Sequence, residues 1–225
     1  MSLTTLKIDN QICYVGGFSN AEYIIIQPIG NNSIQLVKNE IDIIKKTINK
    51  PFKLVALNIL DWNLELTPWT APPVFGNIAF GNGGESTLKF ITEKILPIVL
   101  AEKSTSCKIL IGGYSLAGLF ALWAGCVTDC FDGIAACSPS VWYPKWIEFA
   151  AKNKINVSSV YLSLGDKEDK TKNLLIKKVG VAILHQHEIL LSQGINSVFE
   201  WNSGNHFTDS DKRTAKGFVW LMKNL

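Results

Sequence analysis

Residues 110–125 read LIGGYSLAGLFALWAG. An apolar run ends in two glycines, a serine follows at position 115, and an alanine-rich stretch of helical character comes next. A strand that turns straight into a helix strains the backbone of the corner residue, so the residues two positions away on either side must be small. Here they are Gly113 and Ala117, with Gly118 beyond. The form is the strand–serine–helix turn Gly-x-Ser-x-Gly, with alanine at the second small position. Such a turn aims the Ser115 hydroxyl out of the end of a sheet. It also places the Leu116 N–H at a helix N-terminus, where it can hold an oxyanion. The plainer reading is a tight turn with a serine cap.

The flanking sequence alternates between short apolar runs and amphipathic stretches. YIIIQ (Tyr23 to Gln27) is a β-branched run ended by Pro28 and Gly30 and reads as a buried strand. Ser33 is placed to cap a helix in which Ile34, Val37, Ile41, Ile44 and Ile48 form one stripe. Further strands are read at Phe52 to Leu60, Cys107 to Gly113, Phe131 to Ser138, Ser158 to Gly165 and Asn196 to Gly204. Helices are read from Ser86, with a kink at Pro97, and at Leu116 to Cys126, Lys172 to Gln193 and Ser210 to Leu225. Leu66 to Gly84, rich in Pro, Gly and aromatics, reads as a long loop. Strands joined by helices need crossovers, so the expected fold is α/β. It has a mostly parallel central sheet, helices on both faces and little or no lid. Ligands then bind at the carboxyl ends of the strands.

The totals agree with one globular domain over residues 1–225. Hydrophobic residues are 47% and charged residues 18%, enough to bury a sizeable core. The net charge of +3 is spread rather than clustered, which argues against a nucleic-acid partner, and Lys45-Lys46 and Lys177-Lys178 read as solvated helix faces. The five cysteines are odd in number and irregularly spaced, and form no ligand set with histidine. They read as reduced thiols. With no leader-like start and no run of 18 apolar residues, the expected location is the cytoplasm. No metal or cofactor is expected: Gly81, Gly83 and Gly84 do not complete GxGxxG, and no Gly-Lys-Ser/Thr follows the turn at Ser115. The oligomeric state is open.

A nucleophilic serine needs a base, and the base needs an orienting group. Of three histidines, His185 and His187 sit at i and i+2 within a helix and face different ways. His206, in NSGNHFTDSD between the last strand and the last helix, is the candidate base. The acid is expected after the preceding strand, where SLGDKEDK offers Asp166, Glu168 and Asp169. Glu168 is preferred on the Gly-x-x-acid pattern, Asp166 comes second, and the others would be solvated turn residues. A second oxyanion donor is expected in IIIQPIGNN; Pro28 has no N–H, which leaves Ile29, with Gly30 behind it.

Taken together, LTPWTAP, GNGGESTLKF, the serine turn, CSPSVWYPKW, YLSLGDKED and GNHF resemble the esterase D-like branch of the α/β-hydrolases. That branch is similar to siderophore esterases, feruloyl esterases and S-formylglutathione hydrolases. The resemblance spans roughly Leu66 to His206. It implies Ser115 as nucleophile, His206 as base and an acid at or near Glu168.

Trp62, Trp69, Phe75, Phe80, Trp142, Tyr143 and Trp146 fall in two segments flanking this site. Trp69, Trp142 and Tyr143 are the candidates for a substrate pocket. The expected activity is hydrolysis of a small-molecule carboxylic ester or thioester through an acyl-enzyme. An acyltransferase on the same residues, or a non-catalytic binding protein of the same fold, are the alternatives.

Overall fold

The computed structural model describes residues 3–74, 76–101 and 107–225. The chain opens with β1 (Thr4–Ile8), β2 (Gln11–Gly17) and β3 (Tyr23–Gly30), followed by α1 (Ile34–Thr47), β4 (Phe52–Ile59) and the single turn α2 (Trp62–Glu65). Next come α3 (Gly84–Phe90), a π-helical turn at Ile91–Ile95 and α4 (Leu96–Ala101). Then follow β5 (Lys108–Tyr114), α5 (Leu116–Val127), β6 (Gly133–Cys137), α6 (Trp146–Lys152) and β7 (Ser159–Gly165). A 3-10 turn (Ile176–Lys178), α7 (Val179–Ser192), β8 (Asn196–Asn202) and α8 (Ser210–Asn224) complete the fold.

The strands form one eight-stranded sheet in the order β1-β2-β4-β3-β5-β6-β7-β8. Pairing is antiparallel from β1 to β2 and from β2 to β4, and parallel from there to β8. The parallel strands are apolar on both faces because both faces are covered. Ile24 and Ile26 point into the layer formed by α3 to α7, and Ile25 points into the layer of α1 and α8. After β3 the chain moves to one side to form β4, and after α4 it returns to the other side to form β5. The ladder between β3 and β5 runs only from Tyr23–Lys108 to Ile26–Ile111. Beyond it the two strands leave a crevice at their carboxyl ends, where such sheets take their ligands.

Several elements depart from the sequence expectation. The β1–β2 hairpin is an addition; its two-residue link is Asp9-Asn10, with Asp9 at φ 52°. Helix α6 is another. Ser33 precedes α1 but makes no side-chain cap bond. The helix expected from Ser86 begins at Gly84, and in place of a simple kink it widens into a π turn just before Pro97. Proline cannot donate to the carbonyl four residues back, and its ring crowds that carbonyl, so the wider turn relieves the clash. The helix expected from Lys172 starts at Ile176. Asn173 Oδ1 accepts from the backbone N–H of Leu175 and Ile176, and Asn173 Nδ2 donates to the Val74 carbonyl, so this side chain ends the preceding loop. Among the described residues no helix is long and apolar enough to cross a membrane.

Candidate active site

Ser115 stands between β5 and α5 with φ 60° and ψ −122°. For a residue with a Cβ this conformation costs of the order of 1–3 kcal/mol and persists only where the surroundings impose it. Two backbone bonds do so: the Ser115 N–H donates to the Cys137 carbonyl at 3.1 Å, and the Ser140 N–H donates to the Ser115 carbonyl at 3.1 Å. The small neighbours are required by space. A Cβ on Gly113 would lie 2.6 Å from Ala117 Cβ, and one on Gly118 would lie 3.1 Å from the Gly113 carbonyl and from Pro139.

β7 ends in Gly165 and delivers Glu168, which is 7% exposed. Its Oε2 lies 2.7 Å from His206 Nδ1. Its Oε1 accepts from Ser138 Oγ at 2.7 Å, from the Gly165 N–H at 2.7 Å and from Arg213 Nη1 at 3.2 Å. Burial by itself raises the carboxyl pKa; the hydrogen bond and charge of His206, with the bonds from Ser138 and Gly165, outweigh it and hold the group below its ordinary value. His206 sits in the loop between β8 and α8, and its ring packs against Tyr114 with centroids 5.1 Å apart. Burial pushes the Tyr114 hydroxyl up to about 12, so it stays protonated and neutral at ordinary pH.

Ser115, Glu168 and His206 line one cavity of about 460 Å³. Its apolar wall is Pro139, Trp142, Ile176, Val179 and the exposed Phe207 ring, and Lys167, Lys170, Thr171 and Asn205 supply its polar side.

No protein-family model matches the chain, and no curated protein matches it in sequence. Solved structures do match. An IroE-like serine hydrolase from Shewanella oneidensis superposes with a TM-score of 0.80 at 14% identity, over 99% of this chain and 80% of the other. The siderophore hydrolase EstB from Aspergillus nidulans does so with 0.76 at 16% identity, over 99% and 94%. A ferulic acid esterase gives 0.66 at 11% identity, over 100% and 97%. This chain has the α/β-hydrolase fold. The solved structures it resembles belong to the esterase branch that its sequence resembles.

Within this α/β-hydrolase fold, the structure brings together Ser115, Glu168, His206 and Trp142 from the sequence expectation. Leu116 opens α5 directly beside Ser115. Asp166, the second choice of acid, instead accepts from the Gly204 N–H at 2.8 Å and braces the His206 loop from the outside. Asp169 is exposed. The Ile29 side chain does not line the cavity. It is buried in the α1/α8 layer and lines a separate space of about 60 Å³ with Tyr114 and Trp62. Trp69 and Tyr143 do not line the cavity either. Trp69 Nε1 donates to the Pro144 carbonyl at 2.9 Å, and the Tyr143 hydroxyl donates to the Trp69 carbonyl at 2.5 Å, which ties Trp69 to the segment just before α6. Thr67 anchors the start of that loop through the Asn63 and Gly81 carbonyls. Phe75 lies outside the described residues.

Ser138, Ser140, Tyr114 and Arg213 were not singled out from sequence. Ser140 Oγ is 3.4 Å from Ser115 Oγ. The available signal for the two serines was CSPSVW directly after a strand, where side chains reach a sheet's ligand-binding end. His185 and His187 lie on α7, and His187 Nε2 is 3.3 Å from the Ser197 carbonyl. Among the described residues no cluster of His, Cys, Asp or Glu is arranged to hold a metal ion.

Proposed function

We propose that the protein is a serine hydrolase that cleaves carboxylic ester or thioester bonds of a small molecule through an acyl-enzyme. The observation that carries this reading is convergence. A serine held at a strained strand–helix corner shares one cavity with a histidine fixed to a buried carboxylate. The names of the structures with the same fold, a serine hydrolase, a siderophore hydrolase and a ferulic acid esterase, support the same class of chemistry.

In this reading Glu168 accepts the Nδ1–H of His206, which leaves Nε2 free to take a proton. His206 removes the Ser115 hydroxyl proton as Oγ attacks the acyl carbon. The oxyanion is held by the Leu116 N–H at the start of α5. The tetrahedral intermediate collapses, the alcohol or thiol leaves with the proton from His206, and the acyl group stays on Ser115. Water, deprotonated by His206, attacks the acyl carbon; the acid departs and Ser115 regains its proton. Trp142, Ile176 and Val179 provide an apolar surface for the acyl or alcohol part.

Hydrolysis of p-nitrophenyl esters from acetate to octanoate tests this reading, with the chain-length profile sizing the apolar wall. Turnover that rises with an added alcohol or thiol acceptor would favour the acyltransferase. Absence of turnover on every ester would favour a binding protein.

A further inference from the structure

The chain has 21 lysines and one arginine. That arginine, Arg213 in the first turns of α8, is 3% exposed. Its Nη1 donates to the Tyr114 hydroxyl at 2.8 Å and to Glu168 Oε1 at 3.2 Å, and its Nη2 donates to the Ser203 carbonyl at 2.9 Å. One planar group thus ties together the end of β5 beside Ser115, the acid after β7 and the loop that carries His206. The backbone makes room for it: a Cβ on Gly165 would lie 2.8 Å from Glu168 Oε1 and 3.0 Å from Arg213 Nη1.

We infer that Arg213 is a positioning residue that sets the charge state of the Glu168–His206 couple; this rests on the hydrolase reading above. A buried carboxylate without a counter-charge is costly, and a neutral imidazole supplies a hydrogen bond but no charge. Arg213 supplies the charge on the oxygen that His206 does not use. Glu168 thus has a fixed cation 3.2 Å from Oε1 whether or not His206 carries a charge, and that cation opposes the addition of a further proton to the couple. A lysine ammonium would keep the charge but could not direct two donors along separate lines to Glu168 and Ser203.

The other charged or titratable groups facing the couple do not substitute for it. Lys167 and Lys170 lie on the solvent-exposed side of the cavity, and Asp166, Asp209 and Asp211 lie outside it. Tyr114 is neutral. Removing the Arg213 charge makes it easier to add a proton to the couple, whichever of the two residues takes it.

The test compares wild type, Arg213→Met and Arg213→Lys. In Arg213→Met, kcat is expected to fall at least about tenfold with KM changed less than about twofold. The acid limb of the kcat–pH profile moves up by about one pH unit. Arg213→Lys restores the position of the limb, with kcat only partly recovered. A second reading needs no turnover. In a Ser115→Ala background, the protonation midpoint of the couple, followed through the His206 ring-carbon resonances, rises by a similar amount in Arg213→Met and returns in Arg213→Lys. His185 and His187 serve as unmoved internal references. If no ester is hydrolysed but this midpoint moves, the hydrolase reading fails and the Arg213 role stands. If Arg213→Met stays folded and neither limb nor midpoint moves, or if Met and Lys lose equally with both unmoved, Arg213 is structural only and the inference is overturned. Should Arg213→Met fail to fold, Arg213→Gln carries the same comparison, since it removes the charge and leaves a polar amide in place of an apolar chain.

Discussion

Glu168 and His206, 38 residues apart in the chain, meet at 2.7 Å between Oε2 and Nδ1. The other two acids of the same turn do not reach the ring, and this separates their mutational effects. Glu168→Gln is expected to lower kcat by at least tenfold, about 1.4 kcal/mol of barrier. Asp166→Asn, which weakens only the brace on Gly204, should stay within about threefold of wild type. Steady-state kinetics of the two variants on one ester checks this. A slower Asp166→Asn than Glu168→Gln would transfer the acid's role.

Two buried carboxyls push stability in opposite directions with pH. Glu168 has its pKa lowered by folding, so its contribution is present above the unfolded value and is lost as pH falls through the folded one. Glu40 on α1 is the reverse. Burial raises it from 4.5 to about 8, a hydrogen bond from Gln27 lowers it in part, and Asp211 adds repulsion. The folded state therefore holds the proton more tightly, and stability falls as pH rises from about 4.5 to about 8. Glu40→Gln should match wild type near pH 4 and exceed it increasingly toward pH 8.5, by a few kcal/mol at the plateau. Urea denaturation at three pH values measures it. A constant difference across that range would show that Glu40 does not titrate as described.

The corner at Ser115 depends on contact between two small residues. Gly113→Ala would force a methyl to within 2.6 Å of Ala117 Cβ. Overpacking of this kind costs about 1–3 kcal/mol, and here it also moves the Ser115 backbone. The melting temperature and kcat should both fall. Adding Ala117→Gly should recover activity, at the usual helix cost of about 1 kcal/mol for glycine. A double mutant no better than Gly113→Ala would place the strain elsewhere.

Much of this was legible in the chain because the signals are local. Ile24 to Ile26, Leu54 to Leu57 and Leu110 to Ile111 are continuous apolar runs because both faces of their strands are covered. The Ser115 turn reveals itself by its small neighbours, and Glu168 by its spacing from Gly165. What escaped notice is set by tertiary approach. Tyr143 is next to Trp142 in sequence, but its hydroxyl is taken up by the Trp69 carbonyl and its ring is buried in the core rather than lining the cavity. Arg213 looks like one basic residue in a charged helix start until α8 packs across the sheet and brings it to Glu168. The β1–β2 hairpin and α6 are short and only weakly patterned, and pairing and packing rather than propensity stabilise them.

The central claim is that Ser115 is the nucleophile, and covalent capture tests it most directly. Wild type and Ser115→Ala would each be treated with a fluorophosphonate ester, digested and weighed by mass spectrometry. The account predicts one adduct in wild type, on the peptide containing Ser115, and none in Ser115→Ala. Equal labelling of both proteins, or an adduct on another serine of the cavity such as Ser138 or Ser140, would contradict it.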